Sequence, residues 1–160
     1  MLGTRRFQAF FLACVFVLVA ASTVVAHSEV GTRSEAMAMV KRVQEMFKVK
    51  GRDATFQAVL DKSTPEFHDR DLYPFIYDMT GTCVSHGARP ALVGKNLISL
   101  KDQDGKYLIR ELISTAKEGG WLDYKWPNPV TNKIEDKSSY VEMLGKDYFV
   151  GVGIYRATRR

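Results

Sequence analysis

The sequence predicts an α+β fold with one five-stranded antiparallel sheet, a long N-terminal helix and short flanking helices. Three observations lead to this prediction. After residue 35, apolar residues recur every three or four positions, as on a helix that packs along one side. Five later segments are strand-like in composition and are separated by glycine or proline turns. Some of these segments are apolar at successive positions, which is typical of a sheet covered on both faces.

Residues 1–26 have the three-part composition of a secretory signal peptide. Two arginines supply a basic start, residues 7–21 form an apolar run broken at Gln8, and Ala26 is a small residue at a suitable cleavage position. The run is shorter than the about 20 residues that a membrane-spanning helix needs. We therefore expect cleavage after Ala26 and a single periplasmic or secreted domain at residues 27–160. An uncleaved N-terminal anchor is the alternative.

The charge and cysteine content exclude several classes of protein. Without the leader, which holds two arginines and no acid, the chain has 21 Lys and Arg against 18 Asp and Glu. The charges alternate in sign, so we expect no nucleic-acid partner, because such a partner requires a basic stripe. Cys83 is then the one cysteine left, so an internal disulfide is excluded and we predict a buried free thiol.

The first helix has a clear start and a clear end in the sequence. Thr32 and Glu35 have the spacing of a capping box. The apolar stripe that follows comprises Ala36, Met39, Val40, Val43, Met46 and Phe47. Gly51 is expected to end this helix, and Asp53 to cap a shorter one that stops before Pro65.

Turn residues separate the five predicted strands. We predict strands at residues 72–78, 82–86, 121–126, 138–144 and 148–155. A loop at residues 87–100 and a helix at residues 105–117 connect the second strand to the third, and Gly119 and Gly120 close that helix. The long helix is expected to cover one face of the sheet, and the loop with the short helix to cover the other.

Several of these segments match a known family in order and spacing. They are the hairpin FIYDMTGTCVSHGARPALVGKNL, the helix KDQDGKYLIRELISTAKEGG, and the motifs YKWPNP, KSSYVE and FVGVGIY. From about Ser34 to Tyr155, the chain resembles a small single Cache domain of the second type. The most specific parts of the resemblance are HGARPALVGKNL and YKWPNP.

The resemblance implies a PAS-like sheet and extracytoplasmic recognition of a small molecule, often a short organic acid. Such domains usually lie between two membrane spans of a chemoreceptor or a sensor kinase. This sequence shows no second apolar span and no output domain, so we expect a free-standing secreted member.

Two aromatic residues on the third strand are candidate ligand contacts. Tyr124 and Trp126 are two positions apart, so both point to one face of the sheet. Aromatic walls with polar tips suit a pocket for a small polar ligand, and plain core packing is the alternative. Tyr73 and Phe75 are candidates for the same cavity, although strand packing also explains them.

A lysine and a histidine are the candidate anion-binding groups. Lys137 follows the proline-rich loop, where its ammonium could pair with a carboxylate at a pocket mouth, and a solvated lysine is the alternative. The family motif also favours Lys137 and His86, which ends the second strand. Tyr140 ranks lower, because in a regular strand it would face away from Lys137.

Catalytic and metal sites are not expected. The sequence contains no nucleophile elbow, phosphate-binding glycine loop or zinc spacing. His68, Asp69 and Asp71 are the nearest approach to a polar cluster, and we interpret them as a solvated connector before the first strand. We therefore expect no enzyme activity, no cofactor and no bound metal.

Two functions from different classes remain at this stage. The favoured one is a sensing domain that captures a small organic anion and signals to a membrane sensor or transporter. The alternative is a secreted interaction or structural protein that acts through its surface without a ligand. In both cases a homodimer through the helix at residues 32–50 is a further expectation.

Overall fold

The structure, a computed structural model, describes residues 30–156 and forms one α+β unit. In chain order the elements are α1 (Arg33–Leu60), β1 (Pro74–Asp78), β2 (Cys83–His86), a 3₁₀ turn (Pro90–Leu92), α2 (Leu108–Ala116), β3 (Gly120–Pro127), β4 (Ile134–Leu144) and β5 (Tyr148–Tyr155). The strands form one antiparallel sheet in the order β2-β1-β5-β4-β3. The predicted fold class, an α+β fold with one five-stranded antiparallel sheet and flanking helices, is confirmed.

The leader and its cleavage site lie outside the described residues. Within residues 30–156, no helix is both long enough and apolar enough to cross a membrane. The division of the chain into a signal peptide and a domain at residues 27–160 therefore stays a prediction.

Helix α1 begins where the sequence predicts, but it does not end at Gly51 as expected. The Thr32 hydroxyl accepts the backbone N–H of Glu35 at 3.3 Å, and the Glu35 carboxylate accepts the N–H of Thr32 at 2.7 Å, which completes the capping box. Gly51 has a φ of 80° and a ψ of 179°, outside the helical region. The helix is kinked there and continues to Leu60, so the predicted second helix forms the rest of α1.

The sheet is covered on both faces, as its apolar strands predict. On one face, α1 packs its buried residues Val40 and Val43 against a cluster that includes Ile76 of β1 and Val150 of β5. On the other face, α2 and the sheet share a second cluster. It comprises Phe75, Tyr77, Cys83, Leu108, Ile109, Leu112, Ala116, Tyr124, Val141 and Phe149. Fully burying a large apolar side chain stabilises the fold by about 1.5–3 kcal/mol, so the two layers hold the sheet rigidly between them.

The β3–β4 hairpin is longer than the sequence predicts. We expected the fourth strand to begin at residue 138, but β4 begins at Ile134, and its pairing with β3 extends as far as Pro127. The first residues of β4, Ile134 to Asp136, are largely exposed and mostly charged, so their composition is that of a loop. The consequence is that Lys137 lies inside a strand, directly opposite Tyr124.

Candidate functional site

A small cavity lies between the sheet and α2. Its volume is about 10 Å³, close to the room that one water molecule needs. The sheet contributes Phe75, Tyr77, His86, Tyr124, Trp126 and Lys137, and α2 contributes Leu108, Ile109 and Leu112. The cavity is therefore apolar on the helix side and carries its polar groups on the sheet side.

The structure brings together five of the seven predicted site residues. Phe75, His86, Tyr124, Trp126 and Lys137 all line the cavity. Tyr73 does not line it, but its hydroxyl accepts a hydrogen bond from the Lys137 ammonium. The α2 side chains in the lining were predicted only as core, because an apolar helix face looks the same in sequence whether it covers a cavity or a filled core.

Tyr140 does not reach the cavity. Because β4 includes Lys137, the side chains at 137 and 140 point to opposite faces of the sheet. The Tyr140 ring packs against Trp121 at 5.5 Å on the α1 side, and its hydroxyl donates a hydrogen bond to Glu142. The inclusion of Tyr140 in a shared pocket is the placement that the structure contradicts.

Lys137 is a buried cation among aromatic rings. Its side chain is 1% exposed, and Nζ donates a hydrogen bond of 2.7 Å to the Tyr73 hydroxyl. Nζ lies 4.1 Å from the ring centroid of Tyr73, 5.0 Å from that of Tyr155 and 5.5 Å from that of Phe75. Within residues 30–156, none of the ion pairs involves this ammonium.

The surroundings of Lys137 disfavour its charged form. Burial holds the pKa of Lys137 well below its ordinary value, the negative charge of Asp71 partly offsets this, and the positive charge of Arg89 adds to it. The aromatic rings supply cation–π attraction but no full negative charge. An anion in the cavity would stabilise the ammonium directly.

His86 is a neutral hydrogen-bond donor at the end of β2. Its Nδ1 accepts the backbone N–H of Arg89 at 3.0 Å, so in the neutral ring the proton is on Nε2. Burial, followed by the charges of Lys137 and Arg89, lowers the pKa of His86 to about 3. The ring lies 5.3 Å from that of Tyr73 and 6.5 Å from that of Trp126, measured between centroids.

The hydroxyl of Tyr124 is held in place from β4. It shares a hydrogen bond of 2.8 Å with Ser139 Oγ, and burial raises the pKa of Tyr124, so the phenol stays protonated. Trp126 lies on the same face of β3, with a centroid separation of 6.3 Å from Tyr124. Together with His86, these residues give the cavity a set of uncharged polar tips on rigid strands.

A chain of hydrogen bonds runs from Lys137 through two tyrosines to the last residue of β3. Tyr73 and Tyr155 share a hydrogen bond of 2.9 Å, and the Tyr155 hydroxyl donates to the carbonyl of Pro127 at 2.9 Å. Burial raises the pKa of Tyr73 to about 12, so this hydroxyl also stays protonated. No local pattern indicated Tyr155 as part of the site, because its contacts depend on pairing between distant strands.

Asp71 corrects the prediction of a solvated connector. It is 2% exposed, and its carboxylate accepts the backbone N–H of Gly31 at 2.6 Å and that of Tyr155 at 3.3 Å. One buried side chain therefore joins the segment before α1 to the end of β5. His68, by contrast, is partly buried and hydrogen-bonds to the carbonyls of Thr64 and Gly87.

A charged surface hollow of about 240 Å³ adjoins the cavity. Tyr124 and Lys137 line both spaces. The other lining residues are Asp104, Lys106, Asp123, Lys125, Asp136 and Arg156. The two spaces are therefore neighbours that share these two side chains. In the described part of the chain, no group of three or more His, Cys, Asp or Glu side chains could hold a metal ion.

Comparison with known proteins identifies the family. The model of the Cache domain family matches residues 30–159. The chain belongs to the Cache domain family. Cache domains are sensory ligand-binding domains, so the family places this chain among small-molecule sensing domains.

Two curated relatives of the chain are a sensor kinase and a chemotaxis protein. The chain is 39% identical over 117 residues to the sensor histidine kinase MctS of Rhizobium johnstonii, and 28% identical over 107 residues to the methyl-accepting chemotaxis protein McpP of Pseudomonas putida. These alignments cover 71% and 65% of the chain but only 25% and 20% of the relatives, so the chain spans about a quarter of their length.

The solved structures have the same fold. A methyl-accepting chemotaxis protein from Vibrio parahaemolyticus is similar with a TM-score of 0.64 and 31% identity, over 74% of this chain and 82% of that one. A Cache chemosensory domain, described for its recognition of carboxylic acids, is similar with a TM-score of 0.59 and 24% identity, over 76% and 86% of the two chains. At that identity, the second likeness shows the fold alone.

Proposed function

We propose that this Cache domain binds a small organic anion, of the class of short carboxylates, in the cavity beneath α2. The observation that carries the proposal is Lys137, a fully buried cation that lines the cavity and forms no ion pair within the described residues. A buried charge without a partner is costly, so it is typical of a binding site rather than of a stabilising core.

The other lining groups fit a carboxylate. The Nε2–H of His86 and the hydroxyl of Tyr124 are neutral donors that can hydrogen-bond carboxylate oxygens without adding charge. On the opposite wall, Leu108, Ile109 and Leu112 offer an apolar surface to a short hydrocarbon tail. A ligand with one carboxylate and a small apolar part would therefore contact each wall with a matching group.

The cavity must expand to admit such a ligand. Its present volume suits about one water molecule, which is less than a carboxylate with even one methyl group requires. The sheet side is fixed by five paired strands, so α2 and the loop before it are the elements that would move outward. Binding would then change the outer surface of the domain, which is the kind of change that a partner can sense.

Localisation and partner follow from the leader and the relatives. A signal peptide at residues 1–26 would export the domain, and one solved relative is described as the periplasmic sensor domain of a chemotaxis protein. We infer a periplasmic or secreted domain whose partner is a membrane sensor or transporter. A homodimer through α1 is consistent with this arrangement and would present two cavities to one partner.

Thermal unfolding with a panel of ligands tests the proposal. Acetate, propionate, lactate and pyruvate at millimolar concentration are compared with acetamide and propionamide, which have similar shapes and no charge. At least one carboxylate should raise the melting temperature while its amide does not, because bound ligand stabilises the folded state by mass action. If none of the carboxylates has an effect, or if acid and amide act equally, the proposal fails.

The small cavity volume favours one alternative. A cavity with room for only about one water molecule suits a secreted protein that acts through its surface and binds no small molecule. That alternative predicts that Lys137 can be replaced without losing any interaction of the protein. Electron density for a co-purified molecule beside Lys137 would decide against it.

A further inference from the structure

Lys137 reaches its position by crossing a neighbouring strand. Its backbone is in β4, whereas its ammonium bonds Tyr73, which directly precedes β1. In the sheet, β5 lies between β4 and β1. Adjacent strands are about 4.8 Å apart, so the lysine stem must lie flat over β5 to reach the tyrosine.

The crossing point on β5 is Gly153. An ideal β-carbon built there would clash with Cε of Lys137 and with Oγ of Ser139, and would lie 3.1 Å from Cδ of Lys137. Both contacted residues are buried, and Ser139 is the register partner of Gly153 on β4. Any side chain at 153 would therefore occupy the space through which the lysine passes.

The backbone gives no reason for glycine at this position. The glycines with positive φ are at 51, 81, 94, 105, 119 and 145, and Gly153 is not among them within the described residues. A glycine inside a strand weakens it and often marks a close approach by another group. At 153 the approaching group is Lys137.

We propose that Gly153 is a positioning residue, whose missing side chain opens the passage that delivers the Lys137 ammonium to Tyr73 and the cavity. The same absence leaves room for Ser139, which holds the Tyr124 hydroxyl. Gly153 thus sets the placement of two polar groups of the cavity without contacting a ligand. The consequence for ligand binding rests on the proposed function, but the placement of the lysine does not.

The first test follows Lys137 itself. Lysines are labelled with ¹³C at Cε and observed by NMR, and the Lys137 signal is assigned by its loss in Lys137→Met. The pH titration of this signal is then compared between the wild type and Gly153→Ala. The charged and titratable groups around it are Asp71, Tyr73, His86, Arg89, Tyr124 and Tyr155. The methyl group should displace the ammonium and raise its titration midpoint by about one pH unit or more.

An unchanged midpoint in a folded Gly153→Ala variant would overturn the proposal. The same samples are titrated with acetate, which should bind Gly153→Ala about tenfold more weakly. If acetate fails to bind the wild type, the proposed function is wrong, whereas the lysine titration still decides the role of Gly153. If acetate binds both proteins equally while the midpoint shifts, Gly153 positions the lysine but the lysine does not hold the ligand.

The second test remains decisive if Gly153→Ala does not fold. Removing the stem with Lys137→Ala empties the passage, so the double variant should recover part of the stability that Gly153→Ala loses, although the contact with Ser139 Oγ remains. Gly151→Ala is the matched control: its β-carbon would clash with Phe75 and lie 2.7 Å from Cγ1 of Val141, with no lysine atom among its nearest contacts. Lys137→Ala should not rescue that variant. Equal rescue of both, or rescue of neither, would contradict the proposal.

Discussion

Tyr124 and Lys137 are register partners on β3 and β4, and both side chains line the small cavity as well as the charged hollow. Both are buried, and each is held by a polar neighbour: Tyr124 by Ser139 and Lys137 by Tyr73. Under the proposed function, these two residues would both admit an anion and bind it.

Two tyrosines of the β3–β4 hairpin should respond differently to loss of the hydroxyl. Tyr124→Phe removes a donor from the cavity and should weaken acetate binding by about tenfold, since a hydrogen bond to a charged group is worth about 1.5–3 kcal/mol. Tyr140→Phe is the matched control on the opposite face and should leave acetate affinity unchanged. Calorimetric titration measures both, and a larger effect at Tyr140 would contradict the placement of the site.

Replacing the buried lysine should make the empty protein more stable. Lys137→Met keeps a flexible stem of similar length over Gly153 and removes an amine that ionises less readily in the fold than in the unfolded chain, so we expect the free energy of unfolding to rise by about 1–3 kcal/mol. Tyr73 would still share its hydrogen bond with Tyr155. Urea unfolding without ligand measures the change.

The control for this variant is Lys146→Met, which removes the same charge from the exposed β4–β5 turn. It should change stability by less than about 0.5 kcal/mol. A loss of stability in Lys137→Met of 1 kcal/mol or more would show that the lysine is a structural residue, which the account does not allow.

The difference between the sequence prediction and the structure has one main cause at the site. Strand parity decides which face a residue occupies, and the spacing of Lys137 and Tyr140 predicted their opposite faces correctly. Composition did not indicate the start of β4, because Glu135 and Asp136 are polar and pair with β3 only through a long hairpin. Once Lys137 lies inside the strand, Tyr140 is necessarily on the other face.

Asp71 shows what local patterns cannot supply. Its two backbone partners are 40 and 84 positions away, so nothing near it in the sequence indicates that it is buried. By contrast, the capping box, the Gly51 break and the apolar faces depend on residues a few positions apart, and these were predictable. The cavity is intermediate between these cases, because five of its lining residues could be named from the sequence but its small volume could not.

The carboxylate of Asp71 should be essential for joining the two ends of the described unit. Asp71→Asn replaces one acceptor oxygen with an amide donor that faces a backbone N–H, and we expect a loss of about 1–3 kcal/mol in unfolding free energy. Asp147→Asn, at an exposed turn, is the control for the charge change. Similar effects in the two variants would argue against a buried clamp at Asp71.

His86 should make the domain sensitive to acid. Because its pKa falls from 6.5 to about 3 on folding, the unfolded chain binds a proton more readily, and stability from this group is complete above pH 6.5 and lost progressively down to about pH 3. His86→Asn, whose amide oxygen can accept the Arg89 N–H, should flatten that part of the stability profile. Urea unfolding between pH 7 and pH 4 measures the slope.

The Lys137→Met variant provides an internal check on this profile. Burial is the main cause of the low pKa of His86, and the charge of Lys137 is the second. The slope should therefore diminish only slightly in Lys137→Met and much more in His86→Asn. A profile that is the same in the wild type and in His86→Asn would mean that the histidine is not held in the neutral form.

The most direct test of the anion site is calorimetric titration of acetate into the wild type and into Lys137→Met, in buffers of different ionisation enthalpy. Since burial depresses the pKa of the empty site's lysine, an incoming carboxylate should draw a proton onto it. We predict saturable binding by the wild type with measurable proton uptake, and neither binding nor uptake by Lys137→Met. Binding of equal affinity by the two proteins would contradict the account.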